Sequence, residues 1–288
     1  MNTPKPKETY ILFHANCFDG TGAKYAAWKK FGTNAKYIAV QYGKEPPEMT
    51  PGSDVYILDF SYDRTTLEAL RAVHAMVVVI DHHKTAEEAL RGLPDCVFDM
   101  EKSGAVLAWE YFHPGKPVPG LLEIIQDRDL WRFKFDNTRP ITRALPLLEN
   151  KMSNWNQVVV DEAKGRYSKW KLLEWGTTLL NSDRLKIASV LAGKVKPLPF
   201  CGFTAGVTNS TELVSEIGNA ICQEFTPKVD FAAIYSVTND GMVLFSLRSE
   251  GDMDVSAVAK KYGGGGHANS CGFRGDLEFL NKLLKGEL

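Results

Sequence analysis

Three segments in the first hundred residues are apolar almost from end to end: YILFHA (10–15), VYILDF (55–60) and AMVVVID (75–81). A strand that alternates polar and apolar residues can leave one face in water, but a strand without a polar face must be covered on both sides. KYIAVQY (36–42) and CVFDM (96–100) read as further strands. The stretches between them, AKYAAWKKF (23–31), RTTLEALRAV (64–73) and GAVLAWEYF (104–112), read as helices. This alternation predicts a doubly wound α/β domain built on a parallel sheet. In such domains ligands sit outside the carboxyl ends of the strands.

From about Asn137 the pattern changes. Residues 140–195 are mostly helical in character, carry Trp155, Trp170 and Trp175, and include a long helix expected from Tyr167 to Ala192. GKVKPLP (193–199) reads as a linker. After it come strands at FTAGVTN (203–209), KVDFAAIYSV (228–237) and MVLFSLRS (242–249), a helix over STELVSEIGNAICQEF, a glycine run in KYGGGGHANSCGF (261–273) and a closing helix. The expected division is a catalytic α/β domain over 1–136, a helical connector over 137–199, and a smaller α/β domain with a mixed sheet over 200–288. At 288 residues, two domains are the natural count. The helical segment admits two readings, a homodimer surface or an interdomain core.

Composition narrows the function classes. With 44% hydrophobic and 24% charged residues the chain has the balance of a soluble globular protein. It has no run of apolar residues long enough for a membrane helix, and MNTPKPKETY lacks the apolar core of a signal peptide. Five scattered cysteines without a CxxC pair point to a reducing cytoplasm rather than a disulfide framework or zinc knuckle. The net charge of −1 argues against an enzyme that tracks a long nucleic acid, whose affinity rests on neutralising many phosphates.

The strand ends carry the chemistry. FHANCFDG brings His14, Asn16, Cys17 and Asp19; ILDFSYD brings Asp59; VVVIDHHK ends a run of aliphatics in Asp81-His82-His83; and EIIQDRDLW supplies Asp127 and Asp129. Gathered on one edge, these groups would repel unless protonated or bridged by cations. Two divalent ions roughly 3.5–4 Å apart and sharing a carboxylate resolve the conflict and catalyse phosphoryl hydrolysis. Mixed imidazole and carboxylate donors suit Mn²⁺, with Mg²⁺ or Co²⁺ as substitutes. Each residue alone has a plainer reading. Asp19 and Asp59 could be helix N-caps, one of the adjacent histidines could be packed in the core, and Asp127 and Asp129 could be surface charges paired with Arg128 and Arg132. Helix caps do not account for adjacent histidines, and three of the six histidines, His14, His82 and His83, fall inside these motifs. His74 and His113 are assigned to structure.

HANCFDG, LDFS, the DHH of Asp81-His82-His83 and QDRD, in this order, resemble the motifs of the DHH phosphoesterase superfamily. GGGGHANSCGF resembles the glycine–histidine motif of the DHH-associated domain, and the nearest branch is the oligoribonuclease, or nanoRNase, group. The resemblance implies His14 and Asp59 at one ion, with Asp19, Asp59, His82 and Asp127 at the other and Asp59 bridging. It implies that His83 faces the substrate phosphate and that Asp81 orients a histidine or a water behind the ligands. The departure is Cys17, where the family commonly carries aspartate. An Asn16 carbonyl, a Cys17 thiolate or a water would fill that place.

The same resemblance implies phosphodiester hydrolysis by activated water. Arg248, Gly264, Gly265, Gly266 and His267 would hold the far end of the substrate, since glycine lets backbone amides approach an anion closely. Taken alone, a glycine run in a loop is more often a flexible turn, and Arg248 reads as an ordinary surface arginine. A two-domain chain of near-neutral charge suits short substrates: linear dinucleotides such as pGpG and very short RNA oligomers. The alternatives are a 3′-phosphatase on nucleoside 3′,5′-bisphosphates, a cyclic dinucleotide phosphodiesterase, and a nucleotide-binding protein without activity. A zinc hydrolase is a further variant.

Overall fold

The computed structural model describes residues 7–163 and 171–288 and resolves into two compact units, 1–180 and 181–288. The first unit contains β1 (Thr9–His14), α1 (Phe18–Phe31), β2 (Lys36–Val40), β3 (Asp54–Leu58), α2 (Arg64–Val73), β4 (Met76–Asp81), α3 (Lys84–Leu90), β5 (Cys96–Phe98), α4 (Gly104–Phe112), α5 (Gly120–Asp129), α6 (Thr138–Ala144) and α7 (Met152–Ala163). Its five strands are all parallel in the order β2-β1-β3-β4-β5.

Both faces of this sheet are buried, as the apolar strands require. Ile11, Phe13, Leu58, Val78 and Ile80 point to one face, against residues of α1, α4, α5 and α7 that include the fully buried Trp155. Tyr10, Leu12, Val55, Ile57, Val77 and Val79 point to the other, against Leu67 of α2 and Leu90 of α3. The period-2 alternation therefore separates two cores rather than core from water. The strand order reverses between β1 and β3, so a crevice opens beyond the carboxyl ends of these two strands.

α8 (Leu172–Gly193) runs across the boundary between the units. It covers most of the expected helix, whose first residues, Tyr167 to Trp170, lie outside the described residues. The segment expected as a connector is divided: residues of α6 and α7 and the turn between them, such as Ala144, Leu145, Leu148 and Trp155, belong to the core of the first unit. The second unit continues with β6 (Lys196–Phe200), β7 (Phe203–Asn209), α9 (Val214–Glu224), β8 (Phe231–Val237), β9 (Val243–Arg248), α10 (Ser256–Lys261), β10 (Gly265–His267), β11 (Ser270–Gly275) and α11 (Leu277–Lys285). Its mixed sheet has the order β10-β11-β9-β8-β7-β6, with only β7 and β8 parallel.

Part of the expected linker is the edge strand β6. Pro197 and Pro199 each lack an amide hydrogen, which an edge strand tolerates and a central strand does not. One face of the sheet packs under α9 and Val190 of α8. The other packs against Val258 of α10 and Leu280 and Leu283 of α11. No described helix is long and apolar enough to cross a membrane.

Candidate metal centre

β1 ends at His14, and the chain turns through Asn16 at φ 57° before α1 begins. Asparagine is among the few side chains that enter this left-handed region readily. Asp19 lies in the first turn of α1 but does not cap it. Its buried carboxylate accepts hydrogen bonds from the Gly104 and Ala105 amides, at 2.5 and 2.9 Å, where α4 begins. An anion there satisfies donors the helix itself cannot and lies at the favourable end of its dipole. Gly104 makes the approach possible: a Cβ at that position would sit 2.6 Å from Asp59 Cβ and 3.0 Å from Asp19 Oδ2.

Asp59 follows β3 directly, also left-handed at φ 63°. Such backbone at the end of a core strand is held only by its surroundings and is typical of functional sites. The buried carboxylate lies between two imidazoles, with Oδ1 3.3 Å from His82 Nε2 and Oδ2 3.4 Å from His14 Nδ1. His82 Nε2 is also 3.5 Å from Asp129 Oδ2 and 3.6 Å from Asp19 Oδ2. At the end of β4, fully buried Asp81 accepts the His82 amide at 2.8 Å and lies 2.7 Å from His83 Nδ1. The ligand atoms form overlapping groups spanning at most 4.8 Å: His14, Cys17 and Asp59; Asp19, His82 and Asp129; and Asp59, Asp81, His82 and His83.

The electrostatics are unbalanced. Burial, then the Asp59 and Asp129 charges, push Asp19 well above the ordinary carboxyl range. Burial would raise Asp59 as well, but the flanking His14 and His82 imidazoles outweigh it and keep it ionised. His82 and His83 are raised despite burial, chiefly by Asp59 and Asp81 respectively. Burial, reinforced by Asp59 and Asp19, pushes the Cys17 thiol up.

This donor set fits divalent cations. Asp59 Oδ2 and Asp81 Oδ2 are buried without a hydrogen-bond partner, and three carboxylates crowd around one imidazole nitrogen. Positive charge from outside the chain would satisfy both.

Asp127, expected at the second ion, is not with these groups. Its carboxylate accepts from the Lys134 and Phe135 amides at 2.8 and 3.2 Å and from the Thr138 hydroxyl at 2.5 Å, which hold it below its ordinary range against the opposing effect of burial. Asp129 occupies the place instead. Two residues apart on a helix point about 200° away from each other, so one aspartate can face the centre and the other must face elsewhere.

Tyr42 also escaped the sequence reading. Its hydroxyl lies 3.2 Å from His83 Nδ1, and its ring packs edge-on against His14. Burial and the Asp81 and Asp59 charges push the phenol up, so it stays protonated. Of the expected structural histidines, buried His113 bonds the Ala26 carbonyl through Nε2 at 3.0 Å.

Arg248, Gly264, Gly265, Gly266 and His267 lie in the second unit. His267 on β10 pairs with Ser270 on β11, and Ser270 pairs with Arg248 on β9, so the three form one row on one face of the sheet. Arg248 donates to the Ser215 hydroxyl at 3.0 Å and to its neighbour's carbonyl at 2.8 Å. Gly218 of α9 makes room for it: a Cβ there would lie 2.6 Å from Arg248 Cγ. The glycine run is a hairpin rather than a loose loop. The Gly264 amide donates to Ala259, and Gly266, at φ 138°, packs against Cys271.

The first unit is thus a doubly wound α/β domain with a carboxylate–imidazole centre at its topological switch point, joined in one chain to a mixed-sheet unit. A family model for the DHHA1 domain matches residues 208–286. An uncharacterized protein of Acanthamoeba polyphaga mimivirus is 32% identical across 93% of this chain and 68% of its own length. The oligoribonuclease NrnB of Bacillus subtilis is 26% identical across 91% of this chain and 72% of its own. In fold, the chain is similar to the pGpG-specific phosphodiesterase PggH of Vibrio cholerae, at a TM-score of 0.52 and 15% identity over 97% of both chains. An exopolyphosphatase-related protein of Bacteroides fragilis matches at a TM-score of 0.50 and 16% identity, over 97% of this chain and 90% of that one. The chain belongs to the DHH phosphoesterase superfamily, on its nanoRNase-like side, and carries the DHHA1 domain. Members of that family are metal-dependent phosphoesterases, and the acidic and histidine cluster of this chain could bind metal.

Proposed function

We propose that this protein hydrolyses linear dinucleotides and very short RNA oligonucleotides to mononucleotides, using two divalent cations, with Mn²⁺ the preferred ion. The observation that carries the reading is Asp59, set between His14 and His82 with Asp19 and Asp129 completing the group around His82. Similarity to an oligoribonuclease supports the substrate class. Mixed imidazole and carboxylate donors support manganese.

His14 and Asp59 would hold one ion, and Asp19, Asp59, His82 and Asp129 the other. Ions in such a site supply an acidified water and neutralise charge on the phosphoryl oxygens. Asp81 fixes His83 through Nδ1 and favours its protonated form. A cationic imidazole held in this way stabilises negative charge on a phosphate placed beside it. Tyr42 keeps a hydroxyl at the same ring. In the second unit the row of His267, Ser270 and Arg248 would bind substrate phosphate. The scattered free cysteines support a cytoplasmic location.

The test is product analysis of a linear dinucleotide, a longer oligoribonucleotide, a cyclic dinucleotide and a nucleoside 3′,5′-bisphosphate. Each is run with Mn²⁺ and with EDTA, for the wild type and His82→Ala. The expected result is mononucleotides from the dinucleotide, lost with EDTA and with the variant. Turnover of the bisphosphate or the cyclic dinucleotide alone would replace the substrate assignment. Nucleotide binding without turnover would make this a binding protein.

A further inference from the structure

The loop that follows Asp129 is unusual for a surface segment. Trp131 is 44% exposed yet sits at φ 55°, and Phe133 sits at φ 48°. Bulky side chains are rarely found there, and such backbone persists only when its surroundings hold it. Asp127 holds it. The Asp127 carbonyl accepts from the Arg132 and Phe133 amides at 2.8 and 3.3 Å, while its carboxylate accepts from the next two amides and from Thr138. The result is a half-exposed indole carried on a held backbone of uncommon conformation.

Two cations lie near the indole. The guanidinium carbons of Arg128 and Arg139 each lie 5.9 Å from the Trp131 ring centroid, and Arg139 lies 3.7 Å from that of Phe133. Phe133 meets Trp131 edge-on with centroids 4.8 Å apart. A flat aromatic face flanked by guanidinium groups is complementary to a flat ring attached to an anion. Aromatic platforms of this kind, with a basic surround, hold single-stranded nucleotides by stacking. The location fits as well. Asp129 belongs to the metal centre, and two residues further on the Trp131 Cα lies at most about 7 Å from that of Asp129.

We propose that Trp131 is a nucleobase-stacking platform, flanked by Arg128 and Arg139 and held in place by Asp127, that binds a base of the substrate beside the metal centre. The proposal rests on the nucleotide-hydrolase reading of that centre and adds to it a determinant for the base.

The test uses the full chain, without turnover, in Mg²⁺. Guanosine 5′-monophosphate should quench tryptophan fluorescence where ribose 5-phosphate does not, and Trp131→Phe should abolish the quenching. In parallel, Trp131→Ala should raise KM for a dinucleotide roughly tenfold or more, with a much smaller fall in kcat, and Trp131→Phe should recover most of that loss. Equal quenching of wild type and Trp131→Phe, or by ribose 5-phosphate, overturns the platform. So does a drop in sedimentation mass in Trp131→Ala with KM unchanged, which would make the patch a self-association surface. If wild type cuts no dinucleotide but the nucleotide still quenches Trp131, the hydrolase reading falls and the platform stands.

Discussion

The two units treat charge in opposite ways. At the parallel sheet's edge, Asp19, Asp59 and Asp129 converge on one imidazole nitrogen, and buried oxygens of Asp59 and Asp81 go without hydrogen bonds. On the mixed sheet, Arg248 is only partly buried, and its bonds to Ser215 and the Leu247 carbonyl engage two of a guanidinium's five donors. One site is unsatisfied by its own chain and calls for an ion. The other is partly satisfied by its own chain and, in the proposed reading, offers its remaining donors to an anion. Loss of a residue should therefore be far more damaging in the first than in the second.

Asp59→Ala breaks the comparison at its strongest point. It removes the group lying between both imidazoles, and the expected outcome is an activity loss of roughly a thousandfold or more. Metal content after dialysis should fall with it. In wild type, saturating divalent cation should raise the melting temperature by several degrees, because an ion at a hundredfold its Kd adds about 2.7 kcal/mol of stability. That rise should vanish in the variant. A full thermal response in Asp59→Ala would place the ions elsewhere.

Asp127 and Asp129 sharpen the comparison within one helix. Asp129→Asn should weaken metal affinity about tenfold to a hundredfold while leaving the metal-free protein as stable or more so, since it relieves repulsion among buried carboxylates. Asp127→Asn should do the reverse. Metal affinity holds, the protein loses roughly 1–3 kcal/mol with the charged hydrogen bonds to its loop, and KM for a dinucleotide rises as the Trp131 loop loosens. Metal titrations and thermal melts of the two variants check this directly, and the opposite pattern would return Asp127 to the ligand set.

That pair also marks the limit of what the residues disclose. The parallel sheet was legible because strands such as VVVI have no polar face, and fold class and site edge followed from it. The DHH turn stood out because helix caps do not account for adjacent histidines after a core strand. Which of Asp127 and Asp129 faces the centre depends on how α5 is rotated in its packing, and the spacing of two is silent on that. Tyr42 stands alone in a glycine- and proline-rich stretch after β2, with no neighbour in sequence to suggest His83 as its partner. Most of β6 falls in a segment whose sequence suggests a linker, because two prolines mark a break unless the strand is known to lie at an edge. The glycine run concealed a hairpin for a similar reason, since close packing against Cys271 and Phe273 arises only once β11 is in place.

The smallest effect is expected at Arg248, and it tests the second half of the comparison. Arg248→Lys keeps the charge but loses the planar fork that bonds Ser215 and an anion together. The lysine stem can follow the path the arginine stem takes over Gly218, so the fold should tolerate the change. KM for a dinucleotide should rise roughly tenfold, the worth of one charge-assisted hydrogen bond, with kcat nearly constant. Metal affinity should stay at the wild-type value, because the ligand atoms all belong to the first unit. Steady-state kinetics with a metal titration separates the cases. An unchanged KM in both Arg248→Lys and Arg248→Ala would leave Arg248 as a support for α9 and remove it from substrate binding. A fall in kcat matching the rise in KM would mean instead that the row of His267, Ser270 and Arg248 acts on the reacting phosphate, and the contrast between an ion-requiring unit and an anion-holding one would no longer hold.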